Sequence, residues 1–357
     1  MKYKMEDVLE ALIDYRGKTP RKSETGIPTL SAKSVKDGYI DYSSCYYISP
    51  EEYQRFMVRG FPKVGDVLLT TEAPMGNVAR LDREDIGIAQ RLLTLRGKKD
   101  VCDTDYLRYW LKSPCGKAAL SARETGTTVT GIKQAEFRKI VIDLPDIETQ
   151  KKVVSVLLSL ERKLEVNNEI NKNLEEQAQS IFTQEFLMLD RIPDGWQESS
   201  LLGIADYLNG LAMQKYRPKD DEQGLPVLKI KELRQGSCDF NSELCSTSIK
   251  PEYIVHDGDV IFSWSGSLLV DLWCGGTCGL NQHLFKVTSS TYDKWFYYAW
   301  TNHHLQKFAA IAADMATTMG HIKREELSKA EVLIPSQSDY DRIDGLLAPL
   351  YDLVIAN

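Results

Sequence analysis

The residues in this 357-residue chain whose types best suit chemistry sit in one short segment of hydroxyls, glycines and a lysine. Gly126-Thr127-Thr128-Val129-Thr130-Gly131-Ile132-Lys133 has the make-up of a loop that cradles phosphate, but not the spacing. Such a loop needs Lys directly after its second Gly and Ser or Thr after the Lys, so that amides, ammonium and hydroxyl converge on one nucleotide. Here Ile132 intervenes and Gln134 follows. Cys274-Gly-Gly-Thr-Cys278 with His283 has the outline of half a metal site. No second cysteine pair stands at zinc-ribbon spacing, and the adjacent His303 and His304 do not easily both point inward, so buried free cysteines are the default. No Gly-x-Ser-x-Gly elbow is present. The chain therefore reads as a non-enzyme with no metal and no cofactor.

The binding signals are stronger. Arg16-Gly17-Lys18-Thr19-Pro20-Arg21-Lys22 is a basic loop broken by Gly and Pro. Lys215-Tyr216-Arg217-Pro218-Lys219 occupies the matching place later in the chain. Lys and Arg on such loops suit contact with phosphates. Base edges in a groove are read by Arg, Lys, Asn, Gln or Thr. Arg80, Gln90, Arg91, Arg123, Arg234, Asn281 and Gln282 are candidates of those types. Thr127, Thr128 and Lys133, with Thr317, Thr318 and Lys323, suit close approach to a backbone. The same threonine segments serve equally well as turns that lead a domain into its helix.

The elements that must position these residues come in two copies. Thr127, Thr128, Ile132, Lys133 and Pro145 recur as Thr317, Thr318, Ile322, Lys323 and Pro335, at a constant offset of 190. Gly26-Ile-Pro-Thr-Leu30 matches Gly224-Leu-Pro-Val-Leu228, and Val64-Gly-Asp-Val-Leu-Leu69 matches Asp257-Gly-Asp-Val-Ile-Phe262. A repeat unit of half the chain implies two similar domains, not a solenoid. Strands are expected at 67–71 and 260–264, and helices near 104–113 and 292–309. Strands with segregated helices make an α+β fold.

From Ile147 to Phe186 the chain has no Pro and no Gly. Val153, Leu157, Leu160, Leu164, Asn167, Asn171, Leu174, Ala178 and Ile181 alternate steps of four and three, the 3.5-residue period of a coiled-coil seam. A helix of that length spans roughly 60 Å. Ile343, Leu347, Leu350 and Val354 repeat the first four seam positions at the 190-residue offset. The expectation is a pseudo-twofold dumbbell. Target-binding domains at 1–145 and 191–335 are joined by a long antiparallel coiled-coil spacer made of 146–190 and a shorter arm at 336–357. Pro349 is expected to kink that arm.

Net charge is −7, distributed as +4 over 1–145, −4 over 146–190 and −7 over 191–357. The acidic spacer suits protein partners better than DNA. No apolar run is long enough for a membrane span. Seven cysteines without framework spacing suit a reducing cytoplasm.

These features resemble the DNA-specificity subunit of type I restriction-modification systems over essentially the whole length. The most specific likeness is the stretch Pro145-Asp-Ile-Glu-Thr-Gln-Lys-Lys-Val-Val-Ser-Val-Leu-Leu-Ser-Leu-Glu-Arg-Lys-Leu-Glu-Val-Asn-Asn. The resemblance implies two target-recognition domains, each reading half of a split double-stranded DNA site, and a helical spacer that sets the distance between half-sites. It implies docking of two methyltransferase subunits, which bind S-adenosylmethionine and methylate adenine, and a separate motor-nuclease subunit that cleaves. The rival reading is a two-headed coiled-coil adaptor that binds proteins and is indifferent to DNA.

Overall fold

The computed structural model describes residues 1–15, 17–126, 130–314 and 322–357. The chain divides into two units, Met1–Lys163 and Leu164–Asn357.

The first unit holds β1 (Lys2–Lys4), β2 (Leu9–Asp14), β3 (Ile27–Leu30), β4 (Tyr46–Ile48), β5 (Val67–Thr70), β6 (Val78–Arg80), β7 (Gly87–Ile88), β8 (Leu92–Gly97) and β9 (Val141–Asp143). Its main sheet is antiparallel in the order β2-β8-β5-β6. A second sheet runs β4-β3-β7, and β1 pairs with β9. Side chains of β5 alternate faces, as strand geometry requires. Val67 and Leu69 join a core with Leu107, Leu111, Phe137 and Ile142. Leu68 faces a separate core with Leu30, Ile48 and Ile88.

The second unit repeats this plan. Its strands are β10 (Gln197–Ser200), β11 (Asp206–Asn209), β12 (Leu225–Leu228), β13 (Leu244–Cys245), β14 (Ile254–Val255), β15 (Asp259–Ser263), β16 (Leu269–Trp273), β17 (Cys278–Leu280), β18 (Leu284–Thr288) and β19 (Glu331–Ile334). The sheets run β11-β18-β15-β16 and β13-β12-β17-β14, and β10 pairs with β19. Each matches a first-unit sheet in sequence order, with β14 added at one edge. Val260 and Phe262 face a core rich in Trp and Phe, and Ile261 faces the other side. Two α+β domains of one plan are therefore present.

The expected helix near 104–113 is Thr104–Lys112, followed by Pro114–Ser121. The one expected at 292–309 is two helices, Lys294–His303 and Leu305–Asp314, separated at His304. That imidazole is buried and lies 2.8 Å from the Glu331 carbonyl.

The long helix spans Ile147–Phe182 and ends in a π-helical turn at Thr183–Leu187. Asp146 caps its start by accepting from the Thr149 amide at 3.0 Å. Helix Gln337–Ala356 is capped by Ser336 in the same way. Its helical hydrogen bonding runs on through Pro349 to Ala356. The hydrogen bond that proline forfeits would go to Gly345, which is exposed.

The seam is covered unevenly. Within the second unit, Asn167 Nδ2 donates to the Asn357 carbonyl at 2.7 Å, Asn171 Nδ2 donates to the Val354 carbonyl at 3.1 Å, and Arg342 pairs with Glu185 at 2.7 Å. This order makes the two helical stretches antiparallel. Ala178 is buried there, Leu174 and Ile181 partly so, against a cluster holding Ile343, Leu347 and Val354, with Leu350 at its margin. Upstream the seam lies open: Val153 is 40% exposed, Leu160 54% and Leu164 63%, with Leu157 partly buried.

Candidate nucleic-acid interface

Backbone hydrogen bonds bring separate chain segments together at one end of each main sheet. In the first unit β5 ends at Thr70, and Thr71 continues as a hub. Its amide donates to the Arg91 carbonyl at 3.0 Å, and its carbonyl accepts from the Ile132 amide at 2.9 Å. Glu72 and Thr125 both bridge to Gly131. A pocket of about 190 Å³ opens here, lined by Glu72, Thr125, Gly126, Gly131, Ile132 and Lys133. Arg91 has φ of 70°, and its guanidinium pairs with Glu72 at 2.8 Å. Both groups are partly solvated, so the pair is weak. Lys133 is exposed and has no partner among the described residues.

The second unit builds the same junction from different side chains. The Ile322 amide donates to the Trp264 carbonyl at 3.1 Å, the counterpart of Ile132 on Thr71. Trp264 Nε1 donates to Asn209 Oδ1 at 3.0 Å. His283 Nδ1 lies 3.3 Å from Ser265 Oγ, and Gln282 Nε2 lies 3.3 Å from His283 Nε2. Asn281 is buried in the turn, Gln282 is half-buried, and Lys323 is exposed. Arg91 and Lys133 thus come together in one unit, and Gln282 lies beside the junction leading to Lys323 in the other. Glu72 and Trp264 were not singled out from the sequence, and His283 was weighed only as part of a metal site. Their signal was position: each follows the end of a strand that recurs in both halves.

The basic loops lie elsewhere on their units. In the first, Lys18 is exposed, the Arg21 amide donates to Glu52 Oε1 at 3.0 Å, and Lys22 Nζ sits 4.8 Å from the Tyr46 ring centre. In the second, Lys215 and Lys219 are exposed, and Arg217 pairs with Glu243 at 2.8 Å. Arg80 pairs with Asp105 at 3.1 Å and Arg123 with Glu136 at 3.2 Å, so both brace the first unit's helices. Arg234 is exposed on helix Ile230–Gln235, and Gln90 is half-buried beside Arg91. Arg16, Thr127, Thr128, Thr317 and Thr318 lie outside the described residues. Among the described residues no three His, Cys, Asp or Glu side chains gather as a metal site. Cys274 faces the Ile355 carbonyl and Cys278 turns into the core, so the two do not converge.

Comparison with known proteins bears on both halves of the chain. The family model of the type I restriction modification DNA specificity domain matches residues 1–176 and again 193–352. The type I restriction enzyme MjaIX specificity subunit of Methanocaldococcus jannaschii is 25% identical over 339 residues, covering 87% of this chain and 76% of that protein. The putative type I restriction enzyme MjaX specificity subunit of the same organism is 22% identical, and the match spans 65% of its length. Among solved structures, the type I restriction-modification S subunit from M. genitalium has a TM-score of 0.52 at 11% identity, covering 99% of this chain and 94% of that one. That likeness shows the fold. The double match sets aside the DNA-indifferent adaptor. The chain belongs to the type I restriction-modification DNA specificity family, carries its domain twice, and is a specificity subunit of such a system.

Proposed function

We propose that each unit reads one half of a bipartite double-stranded DNA site through the sheet-end junction described above. The observation that carries this is the repeated hydrogen bond, Ile132 to Thr71 and Ile322 to Trp264, which puts an exposed lysine beside the same strand end in both units. The domains are 1–145 and 191–335. Residues 146–190 with 336–357 act as an antiparallel coiled-coil spacer of a pseudo-twofold molecule. Protein spacing along that helix is read as base pairs at 3.4 Å each. The open stripe of Val153, Leu160 and Leu164 is apolar, suiting it to dock methyltransferase subunits, two per complex. A motor-nuclease subunit joins through that complex in the cytoplasm. The chain itself supplies recognition, and its partners supply chemistry.

The test is a mobility-shift assay on the chain with its methyltransferase partner. One split sequence should be retarded, and changing its spacer by one base pair should abolish the shift. Lys133→Glu should weaken dependence on one half-site and Lys323→Glu on the other, each lowering the salt slope by about one. Retardation that ignores both sequence and spacing overturns the reading.

A further inference from the structure

One short turn occurs in both units with the same hydrogen bonds and an aromatic residue in the same place. Asp41-Tyr42-Ser43-Ser44 recurs as Asp239-Phe240-Asn241-Ser242, at the 198-residue offset that also relates Leu30 to Leu228. The aspartate carboxylate accepts from the amide two residues on, Ser43 at 3.1 Å and Asn241 at 2.7 Å. The aspartate carbonyl accepts from the closing serine amide, at 3.4 Å for Ser44 and 3.0 Å for Ser242. In the second unit Gln235 Nε2 and Lys231 Nζ also reach the Asp239 carboxylate, at 3.4 and 3.8 Å. A turn bonded in this way fixes the backbone that carries the aromatic residue.

Strand directions place each turn at the junction end of its sheet. β12 and β17 are parallel and β13 is antiparallel to β12, as β3, β7 and β4 are in the first unit. The end at which β17 leads into Asn281 is therefore the end at which β13 begins. The Leu228 carbonyl between them accepts from the Asn281 amide at 3.2 Å, as Leu30 accepts from Ala89 at 2.8 Å. Phe240 precedes β13 by four residues and Gln282 follows β17 by two, on strands two spacings or roughly 10 Å apart.

The two rings have different surroundings. Tyr42 is half-buried, its hydroxyl donates to Asp82, and the Arg83 guanidinium lies 5.7 Å from its ring centre. Asp82 and Arg83 belong to the link 81–86 between β6 and β7. The corresponding link between β16 and β17 is the shorter 274–277, with Gly275 and Gly276 at its middle. Phe240 is left 88% exposed, so both faces of its ring meet water. Lys231 and Arg234 are exposed on the preceding helix, and Arg217 and Lys229 both pair with Glu243 just after the turn. A bare ring among cations suits a polyanion with stacked bases better than an apolar protein groove.

We infer that Phe240 is a wedge that enters the base stack of the half-site read by the second unit, and that Tyr42 makes no such insertion at the other half-site. The inference rests on the assignment of the sheet-end junctions to DNA. An apolar side chain driven between base pairs unstacks one step and bends the duplex there. Insertion covers both faces of the ring, whereas contact with a thymine methyl from the groove would cover one. The bonded turn holds the ring in place beforehand, which lowers the ordering cost of binding.

The experiment uses the full chain with its methyltransferase partner and duplexes of its split site carrying 2-aminopurine at one position at a time. Binding should raise fluorescence at one step of the second unit's half-site, and Phe240→Ala should abolish that rise and weaken binding about tenfold or more. Phe240→Leu, which keeps an apolar wedge, should retain part of both. Signal from any base that the methyltransferase itself extrudes should persist in the variants. Phe240→Ala that binds the split site with unchanged affinity and unchanged fluorescence overturns the wedge alone. Loss of methyltransferase association without DNA in that variant also overturns it, by assigning the ring to a protein contact. An unaltered complex that fails to distinguish the split site from random DNA overturns the junction assignment, and the wedge with it.

Discussion

Each unit fastens a domain helix to the helix that leaves the domain, and the two joints use different chemistry at equivalent positions. In the first unit, Gln150 is fully buried. Its Oε1 accepts from the Asp103 amide at 2.9 Å, and its Nε2 donates to the Val101 and Pro145 carbonyls at 3.0 and 2.9 Å. In the second, Tyr340 Oη accepts from the Asp293 amide at 2.9 Å and donates to Asp293 Oδ2 at 3.0 Å. About three turns further along the departing helix, Arg108 grips Glu161 in a two-pronged pair at 3.1 and 2.8 Å. Its counterpart is a stack of rings: Tyr298 meets Tyr351 edge-on, with centres 5.2 Å apart and planes at 70°. All four pairs of positions keep the 190-residue offset. The joint is thus a geometric requirement, and an ion pair or a ring pair meets it. A ring pair adds about 0.5–1.5 kcal/mol beyond its burial. A buried ion pair roughly breaks even against apolar replacements.

The largest expected effect is on the aromatic joint. Tyr298→Ala removes a buried ring and should cost about 3–5 kcal/mol, the range for large aromatic truncations. Tryptophan fluorescence reads it, since Trp196, Trp264, Trp273, Trp295 and Trp300 all lie in the second unit. Loss below about 1 kcal/mol would remove the ring pair from the comparison. Next is Gln150→Leu in the polar joint. It leaves one amide and two carbonyls without their partner, so about 2–3 kcal/mol should be lost, at about 1–3 kcal/mol for each stranded group less what local relaxation recovers. Trp110, the only tryptophan of residues 1–163, reports that transition.

The aromatic joint also carries a cost that the polar one lacks. Asp271 pairs in register with Ile261, where the first unit places Ala79 opposite Leu68. Burial, opposed by a hydrogen bond from the Leu272 amide and reinforced by the Glu175 carboxylate, raises the Asp271 acid to about 6. A carboxyl raised in the folded state destabilises progressively as pH rises from about 4 to 6, and that loss is complete above 6. Asp271→Asn should therefore raise second-unit stability by about 1–2 kcal/mol at pH 8 and change it little at pH 4. Equal gains at both values would place the effect outside ionisation.

Much of this was legible in the residues. The repeat, the Gly-Asp turns before β5 and β15 and the 3.5-residue seam gave the two α+β domains and the long helix, because periodicity and turn chemistry act locally. The joints were not legible. Gln150 sits in a helix as an ordinary polar residue, and Tyr340 shares nothing with it except position, so no type-matching could pair them. The second helix 292–309 was read as one because nothing local marks His304 as a stop. The junction at Thr71 and Trp264 depends on a long-range hydrogen bond to segments 61 and 58 residues away, which spacing alone does not reveal.

The sharpest test of the comparison has the smallest expected effect. Arg108→Met alone strands Glu161, whose carboxyl is held down against burial chiefly by that guanidinium. Glu161 is about a third exposed, so water recovers part of the loss and about 2 kcal/mol is expected. Arg108→Met with Glu161→Leu removes both charges and leaves an apolar contact of similar volume, which is what the second unit already does with Tyr298 and Tyr351. If the joint requires only filled space at that position, the double variant should lie within about 1 kcal/mol of the original and be more stable than the single. Urea unfolding followed at Trp110 measures both. A double variant as unstable as the single would mean that the first unit depends on the charges themselves. The two joints would then be distinct solutions, not one geometry filled in two ways.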